Sequence, residues 1–195
     1  MSRCRPPALR NTALLATALS MLGLATLSAP VIAAEAPADV VYATESAKAA
    51  KSLILDVVHA GARLVAVGDR GHILYSDDQG KTWTQAKVPT RQLLTAVYFV
   101  DDKHGWAVGH DAQILASADG GITWTKQFED LKREAPLLDV WFQDVNHGIA
   151  VGAYGALLET TDGGKNWQDV SDRLDNQDQF HLNAIAAVKD AGLFI

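Results

Sequence analysis

Apolar and polar side chains alternate every second residue in short runs along most of the chain, the period of half-buried β-strands. Leu94-Thr95-Ala96-Val97-Tyr98-Phe99 alternates up to a turn at His104-Gly105, and Gly105-Trp106-Ala107-Val108-Gly109 follows. A loop at His110-Asp111-Ala112-Gln113 leads to Ile114-Leu115-Ala116-Ser117, and a tight turn feeds a fourth run, Ile122-Thr123-Trp124-Thr125. The layout then recurs. LILDVVHAGARLVAVGDRGHILYSDDQGKTW (53–83), LTAVYFVDDKHGWAVGHDAQILASADGGITW (94–124) and LLDVWFQDVNHGIAVGAYGALLETTDGGKNW (137–167) align without gaps over most of their length. Trp83, Trp124 and Trp167 stand 41 and 43 residues apart, as do Gly68, Gly109 and Gly152. A further copy opens at His181-Leu182-Asn183-Ala184-Ile185. Four short strands joined by tight turns, repeated at this period, predict an all-β chain: a β-propeller of four-stranded blades. Blades are expected at about 53–86, 93–127 and 137–169, with an incomplete one at 181–195.

The turn before each Trp carries its own pattern, [ST]-x-D-x-G-x-[TN]-W. It is formed by Ser76, Asp78, Gly80, Thr82 and Trp83, by Ser117, Asp119, Gly121, Thr123 and Trp124, and by Thr160, Asp162, Gly164, Asn166 and Trp167. The short carboxylate can accept N–H groups inside the turn, the Gly supplies a positive φ, and the Trp covers apolar surface between blades. The pattern resembles the Asp-box, or bacterial neuraminidase repeat. Such turns specify architecture; Asp78, Asp119 and Asp162 read as structural residues.

Each copy also couples x-A-V-G-x-x-[GA]-x-[IL]-[IL]-x-[ST] to the Asp-box, behind a first hairpin of the kind running from Asp139 to Gly148. Over residues 53–195 this combination resembles the photosystem II stability/assembly factor family. The resemblance implies a propeller of about seven blades that works as a lumenal or exported assembly chaperone on a membrane complex. A seven-blade ring at this period needs close to 300 residues. The present chain therefore reads as three blades and part of a fourth, a truncated propeller. The family's basic docking patch is not expected here, where Arg63, Arg70, Arg91, Arg133 and Arg173 face an acidic excess.

Residues 1–34 have the layout of a secretory signal peptide. Arg3, Arg5 and Arg10 precede an uncharged run from Asn11 to Leu27, then small residues with a cut expected after Ala34. The 17-residue run is short for a bilayer span. Cleavage removes Cys4, the single cysteine, and takes the net charge from −6 to −9. The mature chain then has no disulfide or thiolate chemistry, and nucleic acid is excluded as a partner. Residues 35–51 read as a loose leader. The expected location is the periplasm, or a thylakoid lumen, peripheral to the membrane at most.

No catalytic, cofactor or metal site is expected. A sialidase would need three convergent arginines and an assisted Tyr nucleophile, and no Arg-Ile-Pro signature is present. A glycan-binding or sialidase-like propeller is the alternative reading. His104 and His147 fall at equivalent turns, which marks a fold device, and no His-x-His spacing supports a metal. What remains is a surface. Loops after the second and fourth strands of a propeller blade share one face: 69–72, 110–113 and 153–156, with segments 85–93, 126–136 and 168–181. The partner-binding face is therefore placed at Arg70, Arg91, His110, Arg133, Tyr154 and Arg173, with a photosystem II subunit or another envelope complex, such as a transporter, as client.

Overall fold

The computed structural model describes residues 40–195; the expected leader peptide and its cleavage site lie outside the described residues. Three four-stranded antiparallel sheets follow one another, each a meander in which every strand pairs with the next. The first holds β1 (Ile54–Ala60), β2 (Arg63–Gly68), β3 (Ile73–Ser76) and β4 (Thr84–Gln85). The second holds β5 (Leu94–Phe99), β6 (Gly105–Gly109), β7 (Ile114–Ser117) and β8 (Thr125–Phe128). The third holds β9 (Leu137–Phe142), β10 (Gly148–Gly152), β11 (Leu157–Thr160) and β12 (Gln168–Asp169). A two-stranded sheet of β13 (Ala186–Val188) and β14 (Gly192–Phe194) comes last. This is an all-β fold of propeller blades.

The core lies in the seams between sheets. Val65, Val67 and Ile73 of the first sheet pack with Leu94, Val97, Ala107, Leu115 and Trp124 of the second. Trp106, Val108 and Ile114 then pack with Leu137, Val140, Phe142 and Leu158 of the third. Phe142 stacks on Trp106 with ring centroids 3.4 Å apart and meets Trp167 edge-on at 5.8 Å. Each fully buried Leu, Ile or Val contributes about 1.5–3 kcal/mol by leaving water. The glycine that closes each second strand is required by close approach. A Cβ on Gly68, Gly109 or Gly152 would lie 2.0, 2.2 or 2.4 Å from the carbonyl oxygen of Leu53, Leu93 or Pro136.

Three sequence expectations change. The fourth strand of the second sheet starts at Thr125, after the Trp, whereas Ile122–Thr125 was expected. The reason is the Asp-box itself: Asp119 Oδ1 accepts the N–H groups of Ile122 and Thr123, which removes both from any ladder. Secondly, the first strand is offset by one residue from the gapless alignment. Ile54 pairs with Gly68 as Leu94 pairs with Gly109 and Leu137 with Gly152, because the first sheet's opening hairpin is shorter. Thirdly, the expected loose leader is not loose over 42–51. Ala43 N–H donates to the Val88 carbonyl, and Gln85 clamps the segment by accepting Ser46 N–H and donating to the Thr44 carbonyl. Ala49, 2% exposed, then packs on Ala66 and Leu74 of the first sheet.

The offset exposes a repeated link. Asp56 and Asp139 now occupy one structural position, filled by Ala96 in the second sheet. Asp56 Oδ2 accepts Val97 N–H at 2.9 Å, and Asp139 Oδ2 accepts Ile185 N–H at 2.7 Å, each reaching the next sheet. Between them Thr95 Oγ1 donates to the Leu137 carbonyl at 2.7 Å. Burial pushes the Asp139 carboxyl above its ordinary value, against the pull of the N–H groups of Ile185 and Val140.

Candidate docking surface

The Asp-box residues are committed to their own turns. Ser76, Ser117 and Thr160 each donate a hydroxyl to the Asp two residues on, at 2.8–2.9 Å. The same oxygens accept the N–H of Gly80, Gly121 and Gly164, whose φ values are +82°, +85° and +85°. The second carboxylate oxygen takes Thr82, Thr123 or the Asn166 amide. Hydrogen bonds from Thr82 hold the Asp78 carboxyl down at about 2. Asp119 and Asp162 also sit low, Asp119 in spite of a burial that pushes the other way. Trp124 Nε1 donates to the Gly121 carbonyl, which ties the indole to its own turn. The His turns work similarly at the same end of the sheets, where Gly120 N–H donates to the Lys103 carbonyl and Gly163 N–H to the Asn146 carbonyl. Asp101 accepts the N–H groups of Lys103 and His104 and the His104 ring, and Asp144 repeats this with His147. Those contacts outweigh burial and hold Asp101 at about 2.

The turns after the second strands meet the segments that link successive sheets. A Cβ on Gly71 would lie 2.3 Å from the Thr90 carbonyl, and Ala112 N–H donates to the Ala135 carbonyl at 3.2 Å. Gly155 abuts Asn176 in the same way. These contacts bring the expected docking loops to one end of the sheets. The tip residue of each turn is left-handed: Arg70, Asp111 and Tyr154, with φ of 57°, 59° and 57°. The structural counterpart of Arg70 and Tyr154 is thus Asp111, one residue beyond His110. His110 is exposed beside that tip, and its N–H donates to the Leu93 carbonyl.

The arginines divide into free and spent. Arg70 is 79% exposed, with its own neighbour Asp69 at 3.3 Å. Arg91 donates Nε to the Tyr42 carbonyl while staying exposed. Arg133 is largely buried and paired with Asp169 of β12, so it plugs the seam between the second and third sheets instead of facing a partner. Arg173 donates to Glu159 of β11 at 2.6 Å. A single row of free cations, one per blade, is therefore not what the end face presents; Arg70, Arg91, His110 and Tyr154 remain available.

Two features were missed from sequence. The interblade carboxylates carry a signal, the tripeptide Leu-Asp-Val at 55–57 and 138–140, which the gapless alignment had set one residue apart. The other is a cleft of about 700 Å³ beside the first seam, lined by Tyr42, Pro89, Arg91, Gln113, Lys126 and Glu129. Gln113 is buried there; its amide nitrogen donates to Glu129 at 2.6 Å, while its carbonyl oxygen has no protein partner. Nothing in the sequence marks that cleft, because residues from four separate segments build it.

Comparison with known proteins agrees with this architecture. A family model described as BNR/Asp-box repeat matches residues 74–85. The chain is 40% identical over 62 residues to the chloroplastic photosystem II stability/assembly factor HCF136 of Cyanidioschyzon merolae, which covers 30% of this chain and 14% of that protein. It is 38% identical over 61 residues to the photosystem II assembly protein Ycf48 of a Synechococcus, covering 30% of this chain and 18% of that one. It thus matches only a minor part of the length of these relatives. A solved structure titled YCF48 bound to D1 peptide superimposes with a TM-score of 0.53 at 26% identity, over 60% of this chain and 39% of that one. An ancestral GH74 enzyme superimposes at 0.54 with 16% identity, a likeness of fold alone. A family model described as photosynthesis system II assembly factor YCF48 matches residues 81–136 and 126–195, more than half of the sequence, and the chain belongs to that family.

Proposed function

We propose that this chain is an exported, non-catalytic scaffold that docks on a segment of a membrane-complex subunit of the photosystem II type. The observation that carries the reading is the likeness, in fold and sequence, to a YCF48 structure that holds a D1 peptide. Export is supported by the leader pattern of residues 1–34. A non-catalytic role is supported by the commitment of the Asp-box carboxylates to their own turns. The docking residues are Arg70, Arg91, His110 and Tyr154, on the end where the long linkers lie.

The test is capture from detergent-solubilised membranes with the full chain as bait, read by mass spectrometry, beside the same bait carrying Arg70→Glu and Arg91→Glu. Enrichment of one photosystem complex through a D1-type subunit, weakened several-fold by the two exchanges, is the expected result. Capture of a different envelope complex, or of glycans alone, overturns the reading.

A further inference from the structure

We infer that the linker between β12 and β13 forms a preorganised aromatic platform for a basic segment of a partner protein, one that alternates lysine or arginine with apolar residues. The platform shares Tyr154 with the docking face proposed above but goes beyond it, since Phe180, Asp175 and Asp178 lie outside that face and select a basic segment whatever complex the chain serves.

Large apolar side chains are normally turned inward, and the informative exceptions are those grouped on the surface. Phe180 is 68% exposed and Tyr154 is 62% exposed. Phe180 immediately precedes His181 in the chain, and the His181 ring centroid lies 5.1 Å from that of Tyr154. The group is held by its backbone. Asn176 donates its side-chain amide to the Phe180 carbonyl at 2.9 Å and accepts Phe180 N–H at 2.9 Å, which closes a five-residue loop. That loop is seated on the third sheet's tip, where a Cβ on Gly155 would lie 2.6 Å from the Asn176 amide nitrogen. An aromatic side chain presented from a fixed backbone loses little entropy on binding, the property that makes such residues anchors.

Charge selects the occupant. Asp175 and Asp178 line one open cleft of about 330 Å³ together with Phe180. Neither carboxylate has an ion-pair partner among the described residues, and the linker's own cation, Arg173, is spent on Glu159. An aromatic face rimmed by unpaired carboxylates attracts a cation twice, through the ring quadrupole and through Coulomb attraction. The apolar residues of the incoming segment cover Phe180 and Tyr154 while its cations reach the rim. An acidic or neutral segment gains only the first of these contacts.

The experiment titrates the full chain with a labelled peptide alternating lysine with leucine, beside one alternating glutamate with leucine, by fluorescence polarisation at low and moderate salt. Saturable binding of the lysine peptide, weakened by salt, is expected, with at least tenfold weaker affinity for the glutamate peptide. Phe180→Ala and Tyr154→Ala should each raise the Kd about tenfold. The double exchange Asp175→Asn with Asp178→Asn should flatten the salt dependence. Both aromatic side chains are exposed, so circular dichroism and thermal melting should match the parent. Asp102→Asn, in a turn at the other end of the sheets, should leave the Kd unchanged. Equal affinity for both peptides, no saturable binding, no effect of the aromatic exchanges in folded protein, or an equal effect of Asp102→Asn would each overturn the proposal.

Discussion

The seam between the first and second sheets and the seam between the second and third bury equivalent repeat positions, yet different polar groups tie them. In the first, the main chain crosses: Lys87 N–H donates to the Ile122 carbonyl and Trp124 N–H to the Lys87 carbonyl, both at 3.3 Å. Arg63 adds a bond to the Gly120 carbonyl at 3.1 Å. In the second, side chains cross instead. Gln127 donates to the Gly163 carbonyl at 2.9 Å, and Arg133 pairs with Asp169. The Trp responds to the difference. Trp124 Nε1 bonds to its own turn, whereas Trp167 Nε1 is buried without a partner where Gln127 lies over Gly164. Apolar repeat positions therefore build the blades, while positions that break the repeat decide how each seam is latched and whether a cleft stays open beside it.

The largest effects should come from the shared apolar positions. Leu115→Ala in the first seam should cost about 2–5 kcal/mol and Phe142→Ala in the second about 3–5 kcal/mol, read by urea unfolding. Comparable losses would confirm that both seams rest on the same core; a near-neutral result at either would break the comparison. Next comes the close-approach glycine. Gly109→Ala drives a methyl into the Leu93 carbonyl and should cost about 1–3 kcal/mol.

The latches should follow. Asp139→Ala leaves the N–H groups of Ile185 and Val140 without their acceptor and should cost about 1–3 kcal/mol, with protection of the Ile185 amide lost in hydrogen exchange. The pH dependence separates the two kinds of carboxylate. Asp101 is held at about 2, so its contribution is present above the ordinary carboxylate value and is lost as pH falls below it. Asp139 is raised, so its ionisation subtracts stability as pH climbs past that value. Asp101→Asn should therefore flatten the acid limb of a stability–pH curve, and Asp139→Asn should not. The smallest effect should be at the exposed pair: Arg173→Ala is expected to change stability by less than about 1 kcal/mol.

Strands, blade period and Asp-boxes were legible because each is written in local chemistry. Alternation marks a strand, Gly-Gly or Gln-Gly marks a positive φ, and Ser-x-Asp marks a self-satisfied turn. The offset of the first strand was not legible, since the hairpin between Ala60 and Arg63 is shortened while Gly68 keeps its place. The docked segment at 42–51 was hidden by its bland composition; its hold depends on Gln85 and Val88, some forty residues away. The proposed docking face was half legible. Sequence places Arg91, Arg133 and Arg173 on the linking loops, but only packing reveals that Asp169 and Glu159 neutralise two of them.

The proposed docking is tested most directly by titrating the full chain with a D1 peptide and reading the Kd by fluorescence polarisation. Saturable binding, weakened about tenfold or more by Arg70→Glu with Arg91→Glu and unaffected by Asp102→Asn, is the predicted result. Absence of saturable binding to folded protein, or equal binding by the double exchange, would contradict it.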